Sequence, residues 1–177
     1  MNRFYVPLAI FALLAVVLAV GIRHSPDKGI IVSPLLNKAA PQFALPELAD
    51  ASRVVDSAAL RGRWYLLNVW GTWCIECRAE HEMLLRIHAE GRIPLIGLDW
   101  KDDDARAQAW LTQLGNPYEQ VAVDRDGAVA IDWGVYGAPE SFLVNPQGII
   151  VYKHVGALDE ATWKDQILPR LTPPGPT

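Results

Sequence analysis

Cysteine is nearly absent from this chain, with two in 177 residues, Cys74 and Cys77. That excludes a framework of several disulfides holding together a small, loop-rich fold. Positive charge is not concentrated either. Lys and Arg number 16 against 20 Asp and Glu, giving a net charge of −4, and no long basic run occurs. The clustered positive surface that nucleic acid requires is therefore missing. The histidines His24, His81, His88 and His154 form no paired metal-binding motif. Internal repeats are also lacking.

What is present is enough apolar residue, 51% of the chain, to fill one domain of ordinary size and to leave an appendage. The appendage is N-terminal. "FYVPLAIFALLAVVLAVGI" runs from Phe4 to Ile22 without a charge. A helix of roughly 19 residues spans about 28 Å, close to the thickness of a bilayer's hydrocarbon core. Arg3 precedes the run; Arg23, His24 and Lys28 follow it. Two readings compete: a retained signal anchor, or a cleaved signal peptide with Ala19-Val20-Gly21 as its small-x-small site. The run exceeds a usual signal-peptide core, which favours the anchor. Either way the rest of the chain is exported, and export permits a disulfide.

The division that follows is residues 1–22 as transmembrane signal anchor, 23–40 as linker, 41–171 as folded domain and 172–177 as a Pro-rich tail. Pro26, Pro34, Pro41 and Pro46 mark the linker and its junction with the domain. "RVV" at Arg53–Val55 predicts a short strand. "WYLLNVW", Trp64 to Trp70, is a nearly continuous apolar run, as in a strand buried on both faces. Helical spacing follows, with Ala79, Met83, Leu84, Ile87 and Ala89 set among polar Arg78, Glu80, His81, Glu82 and Arg86, and Gly91 as the stop. "IPLIGLDW", Ile93 to Trp100, predicts a second buried strand. A second helix starts at Asp102–Asp104, where negative charge suits a helix N-terminus, and ends before Gly115. A short strand, a brief helix broken by Gly134 and Gly137, a hairpin turning at Asn145–Gly148 and a last helix from Asp159 to Leu171 complete the domain. This order predicts an α/β fold, a mixed sheet flanked by helices.

The two cysteines fall where the first buried strand gives way to a helix. The first turn of a helix presents free N–H groups and a partial positive charge, which stabilise a thiolate on Cys74. Cys77, one turn on, is placed to resolve a mixed disulfide. Zinc would normally need four ligands, and beyond Cys74, Cys77 and His81 the chain offers no paired motif. Covalent haem attachment needs His directly after the second cysteine, where this chain has Arg78. A purely structural disulfide across so short a loop would constrain the unfolded chain only weakly. A working redox pair is the reading these residues favour.

"NVWGTWCIECRAEH", with "APQFALPEL" upstream and "GVYGAPESFLV" downstream, resembles the membrane-anchored thioredoxin-like proteins of bacterial cytochrome c maturation, periplasmic thiol:disulfide interchange proteins of the CcmG/DsbE type. The resemblance covers roughly residues 38 to 171. It implies a thioredoxin fold with an added N-terminal β-hairpin, no bound cofactor, and a domain in the periplasm tethered by a single inner-membrane span. It implies a reductive role: keeping the haem-binding cysteines of apocytochrome c, or of a partner thiol protein, reduced, with electrons drawn from a transmembrane thiol reductase of the DsbD/CcdA type.

By motif matching, Cys74 is implied as nucleophile and Cys77 as resolving thiol. Pro139 matches the family's cis-proline, with the Ala138 backbone beside it free to pair with a substrate chain. Trp73 matches the tryptophan flanking the nucleophile. Glu80 and Glu140 match acidic residues near the family's active site. Asn68 stands where thioredoxin has a buried aspartate, and asparagine cannot ionise. Glu80 or Glu140 is therefore expected to move the proton. Ile75 and Glu76 depart from the pattern, which has proline after the first cysteine. The charge of Glu76 should raise the thiol pKa and make the pair more reducing. Two other functions stay open: a general periplasmic disulfide reductase, and a tethered binding module without turnover.

Overall fold

The apolar run after Arg63 becomes strand β3, Tyr65–Trp70, and every one of its side chains is buried. In the computed structural model, which describes residues 5–23 and 33–171, β3 is the middle of a five-stranded sheet. Residues 1–4, half of the expected linker (24–32) and the Pro-rich tail (172–177) lie outside the described residues. The chain divides into two units, Met1–Val32 and Ser33–Thr177.

In the first unit the apolar run forms helix α1, Tyr5–Arg23. Leu8, Phe11, Leu14 and Leu18 along it are exposed. Among the described residues no helix is long and apolar enough to cross a membrane.

The second unit holds the remaining elements. Strands β1, Ala44–Pro46, and β2, Val54–Asp56, pair antiparallel as a separate hairpin, and a 3-10 turn spans Ser57–Leu60. After β3 come α2 (Ile75–Glu90), β4 (Leu95–Trp100), α3 (Asp104–Leu114), β5 (Gln120–Asp124) and α4 (Ala128–Asp132). Strands β6, Glu140–Val144, and β7, Ile150–Val155, close the sheet. Its order is β5-β4-β3-β6-β7, with β3, β4 and β5 parallel and β6 and β7 antiparallel. This is the mixed α/β sheet expected. The final helical segment departs from a plain α-helix. It makes a π-turn over Thr162–Ile167, where Leu168 N–H reaches Trp163 O, then continues as α5, Leu168–Leu171.

Both faces of the sheet are covered, which explains why β3 and β4 lack alternation. On one face Leu66, Leu95 and Leu143 pack with Leu84 and Ile87 of α2, Leu111 of α3 and Trp163. On the other, Leu67, Val69, Ile96, Leu98 and Phe142 pack with Ala130, Trp133 and the N-terminal residues Phe43, Val55 and Leu60. Each fully buried Leu or Ile contributes roughly 1.5–3 kcal/mol. The N-terminal segment also covers the sheet's exposed edges. Leu48 N–H bonds Val121 O outside β5, while Asn37 N–H and Lys38 O engage Ile150 at the start of β7. Paired edges do not template association with other chains.

Candidate active site

Strand β3 ends at Trp70, and the three residues that follow set up the cysteines. Gly71 is needed there because a Cβ would lie 2.5 Å from the indole nitrogen of Trp73, which folds back over it. That nitrogen donates to Trp100 O at 3.1 Å. Thr72 is gripped by Asp102, to which its backbone N–H and its hydroxyl both donate. Cys74 then takes the N-cap position of α2 in extended backbone, and its Sγ accepts the Cys77 N–H at 3.0 Å. The cysteines are joined as a disulfide, Cα atoms 5.3 Å apart. Both are buried, yet their neighbours are not: Trp73 is 47% and Ile75 84% exposed. Glu76 is also exposed, in the first turn of α2.

The Ala138–Pro139 peptide bond is cis. Ala138 packs against the core cluster that contains Cys74 and Cys77, so this loop lies on the disulfide's side of the core.

The two glutamates part company. β3 pairs with β6 so that Asn68 faces Ser141 and Val69 faces Glu140. Side chains alternate along a strand, so Glu140 belongs to the sheet face of Val69 and Phe142, opposite the face of Asn68 and α2. Glu140 is fully buried and committed to partners. Its Oε1 accepts the Tyr136 N–H at 2.9 Å, and its Oε2 lies 2.8 Å from the ammonium of Lys153.

Helical spacing sets Glu80 among polar residues and the family resemblance sets it near the active site; it is only 1% exposed. Its Oε1 accepts the Asn68 amide at 2.9 Å and its Oε2 accepts Leu158 N–H at 2.7 Å. Burial pushes its carboxyl up to about 7, against the opposing pull of those two donors. Asn68 is fully engaged: its amide also donates to Ser141 Oγ at 3.0 Å, and its oxygen accepts the Tyr118 hydroxyl at 2.7 Å. The Tyr118 ring stacks on Trp70 at 5.6 Å. A Cβ on Gly97 would come within 2.9 Å of the Trp70 nitrogen and 3.1 Å of the Tyr118 ring, so glycine makes room for this pair. His81 is also buried. Its Nε2 bonds Gly115 O and its Nδ1 accepts from Trp110, so both ring nitrogens are occupied. Among the described residues no group of three His, Cys, Asp or Glu is placed to hold a metal ion.

The sequence does not single out three buried charged side chains. Lys153 stands in "IIVYKHV", and a lysine inside a strand of the sheet was the available signal. Asp99 stands in "LIGLDW". Its buried carboxyl has no hydrogen-bond partner among the described residues. Burial, then the charges of Asp102 and Asp104, push it up to about 7 against the pull of Arg125. Asp102, read only as a helix-start residue, also fixes Thr72.

Residues 35–167 match the Redoxin family. The chain is 44% identical over 168 residues to the thiol:disulfide interchange protein DsbE of Allochromatium vinosum, covering 95% of this chain and 92% of that one. It is 40% identical over 168 residues to the protein of the same name from Escherichia coli K12, covering 93% and 90%. Among solved structures it is similar to one assigned as DsbE from Chlorobium tepidum, at 28% identity and a TM-score of 0.67 over 77% of this chain and 98% of that one.

Proposed function

Because the chain belongs to the Redoxin family and, within it, to the DsbE thiol:disulfide interchange proteins, we propose that Cys74 and Cys77 work as a reducing pair in cytochrome c assembly. The observation that carries the chemistry is the Cys77 N–H pointing at Cys74 Sγ, 3.0 Å away at the start of α2. This is where a thiolate gains most from the free N–H groups and positive end of a helix.

The reaction balances as follows. The Cys74 thiolate attacks one sulfur of a substrate disulfide, forming a mixed disulfide and releasing the other substrate sulfur as a thiolate. Cys77 loses its proton and attacks Cys74 Sγ, which releases the second substrate thiolate. The substrate gains two electrons and this protein is left oxidised. Glu80, one helical turn beyond Cys77 and half-ionised near neutrality, is the proton acceptor we assign to the second step. Glu140, held by Lys153, is not assigned that task. Trp73, Ala138 and Pro139 form the docking surface in this reading, and Ala138 offers its backbone to an extended substrate.

The acidic surroundings support a reductant. Glu76 in the first turn of α2 and Glu80 one turn beyond Cys77 disfavour a further anion, which destabilises the reduced thiolate form and lowers the potential. The substrates of this proposal are the haem-binding cysteines of apocytochrome c or a partner thiol protein. A transmembrane reductase of the DsbD/CcdA type returns the electrons. In this proposal the Cys74 domain lies in the periplasm, and helix α1, apolar and exposed though not long and apolar enough to cross a membrane, is the segment that holds it at the inner membrane.

Cys77→Ala tests the proposal, because it leaves the mixed disulfide unresolved. Capture of a cytochrome c precursor or of its partner thiol protein is expected. Capture spread over unrelated exported proteins would point to a general reductase. A Cys74→Ala chain that retains function would leave only a binding module.

A further inference from the structure

The loop that carries Pro139 has little regular structure to hold it. Gly134 and Val135 still bond back to α4, through Ile131 O and Ala130 O. Beyond them the segment reaches β6 at Glu140 with no helix or strand between. Nothing lies within 4 Å of a Cβ built on Gly137, and the Tyr136 side chain is exposed. Pro139 O accepts the Gly156 N–H at 2.9 Å, and the loop's other polar anchors converge on one cation. Lys153, on the neighbouring strand β7 with its side chain 4% exposed, reaches Glu140 Oε2 at 2.8 Å. It donates to Gly134 O, also at 2.8 Å. Its ammonium sits 4.3 Å from the centre of the Tyr136 ring and 5.1 Å from that of Phe142. Glu140 completes the circuit by accepting the Tyr136 N–H at 2.9 Å.

We propose that Lys153 is a positioning residue for substrate docking. It is a buried cation that clamps both ends of the Gly134–Glu140 loop from the sheet face opposite Glu80, and so fixes the backbone of Ala138 and the ring of Tyr136 as a rigid wall for a peptide disulfide. This rests on the thiol-exchange reading of Cys74 and Cys77. A buried ion pair is weak evidence for stability, because desolvation of both ions offsets their attraction, and its best-attested use is to specify one arrangement. The arrangement here is a loop whose own sequence, with Gly134 and Gly137, imposes little order. The ammonium is held by a carboxylate, a carbonyl and two aromatic faces, so it is fixed in direction as well as charge.

Docking and chemistry separate by substrate size. A small aromatic disulfide such as 5,5′-dithiobis(2-nitrobenzoate) needs the Cys74 thiolate but no backbone pairing. A synthetic peptide disulfide needs both. The full chain, pre-reduced, is compared as wild type, K153M, K153R and K153M/E140Q. The double variant keeps the site neutral should K153M alone fail to fold, since a lone buried carboxylate is costly. The expected result is a loss of at least about tenfold in the rate on the peptide disulfide, carried by KM. The rate on the small disulfide and the glutathione equilibrium of the cysteine pair should hold within about twofold, and K153R should recover most of the loss. Equal losses on both substrates, or no loss on the peptide, would overturn the clamp. Wild-type protein inert toward both disulfides would instead remove the thiol-exchange reading beneath it.

Discussion

Asn68 donates its side-chain amide to Glu80 Oε1 across 2.9 Å, and neither residue reaches solvent. Asparagine cannot ionise, so this buried network, which also ties in Tyr118 and Ser141, contains one readily titrating carboxyl. Burial holds Glu80 at about 7. The rate at which Cys77 resolves a mixed disulfide should rise with pH through an inflection near that value as Glu80 becomes a base. Stopped-flow resolution rates measured from about pH 5.5 to 8.5 should lose the inflection in Glu80→Gln. A variant that keeps it would clear Glu80 of the role.

Restoring a carboxyl at the neighbouring position should disturb the same titration. Asn68→Asp sets two carboxyls within hydrogen-bond reach, and they cannot both ionise cheaply. The pair should titrate in two steps, one of them displaced above 7, with the resolution profile moved to higher pH. An unchanged profile would mean that the two side chains do not share the site.

Asp99 makes a prediction about stability. Its carboxyl sits at about 7 in the folded chain against an ordinary 3.8. Between those values the native state binds the proton and the unfolded state does not, so stability falls as pH rises from about 4 to 7 and then levels off. Asp99→Asn removes the ionisation. The variant should match wild type near pH 4 and exceed it near pH 8, by on the order of a few kcal/mol. Urea unfolding at the two pH values measures this. A variant less stable at pH 8 would mean that the Asp99 carboxylate has a favourable role in the folded protein.

The strands β3 and β4 and the start of α2 were legible because their signals are local: apolar runs, a glycine, and cysteines at a strand-helix junction. The stop of α2 was legible too, since Gly91 takes the left-handed backbone a C-cap uses. Glu80 was not, because its surroundings come from Asn68 and Leu158, distant in sequence, and nothing in a helix's spacing foretells which polar residue meets them. Placing Glu140 and Lys153 together required the β6–β7 register, in which Phe142 faces Lys153. The hairpin was expected, but not which of its polar residues point inward. The π-turn near the C-terminus had no counterpart in apolar spacing at all.

Trp73 reports on the loop before Cys74. Gly71→Ala would place a methyl carbon 2.5 Å from its indole nitrogen. The ring must then leave Trp100, breaking the 3.1 Å bond to Trp100 O. A cost of about 1–3 kcal/mol and a change in tryptophan emission are expected. Unchanged emission would show that the loop absorbs the methyl group by a backbone shift instead.

Ile75 and Glu76 lie between the cysteines, where the family pattern has proline first. Ile75 opens α2, a position whose N–H has no partner within a helix and where proline's fixed φ is already suitable. Ile75→Pro should therefore leave the thermal midpoint within about 2 °C. Glu76 acts by charge alone. It is exposed, and water and salt screen it from the sulfurs. Glu76→Gln should make the pair less reducing, but by under tenfold in its glutathione equilibrium, less than about 30 mV. The difference should shrink as salt is added. A shift larger than that, or one indifferent to salt, would mean that Glu76 acts through a direct bond to a thiol in the reduced protein.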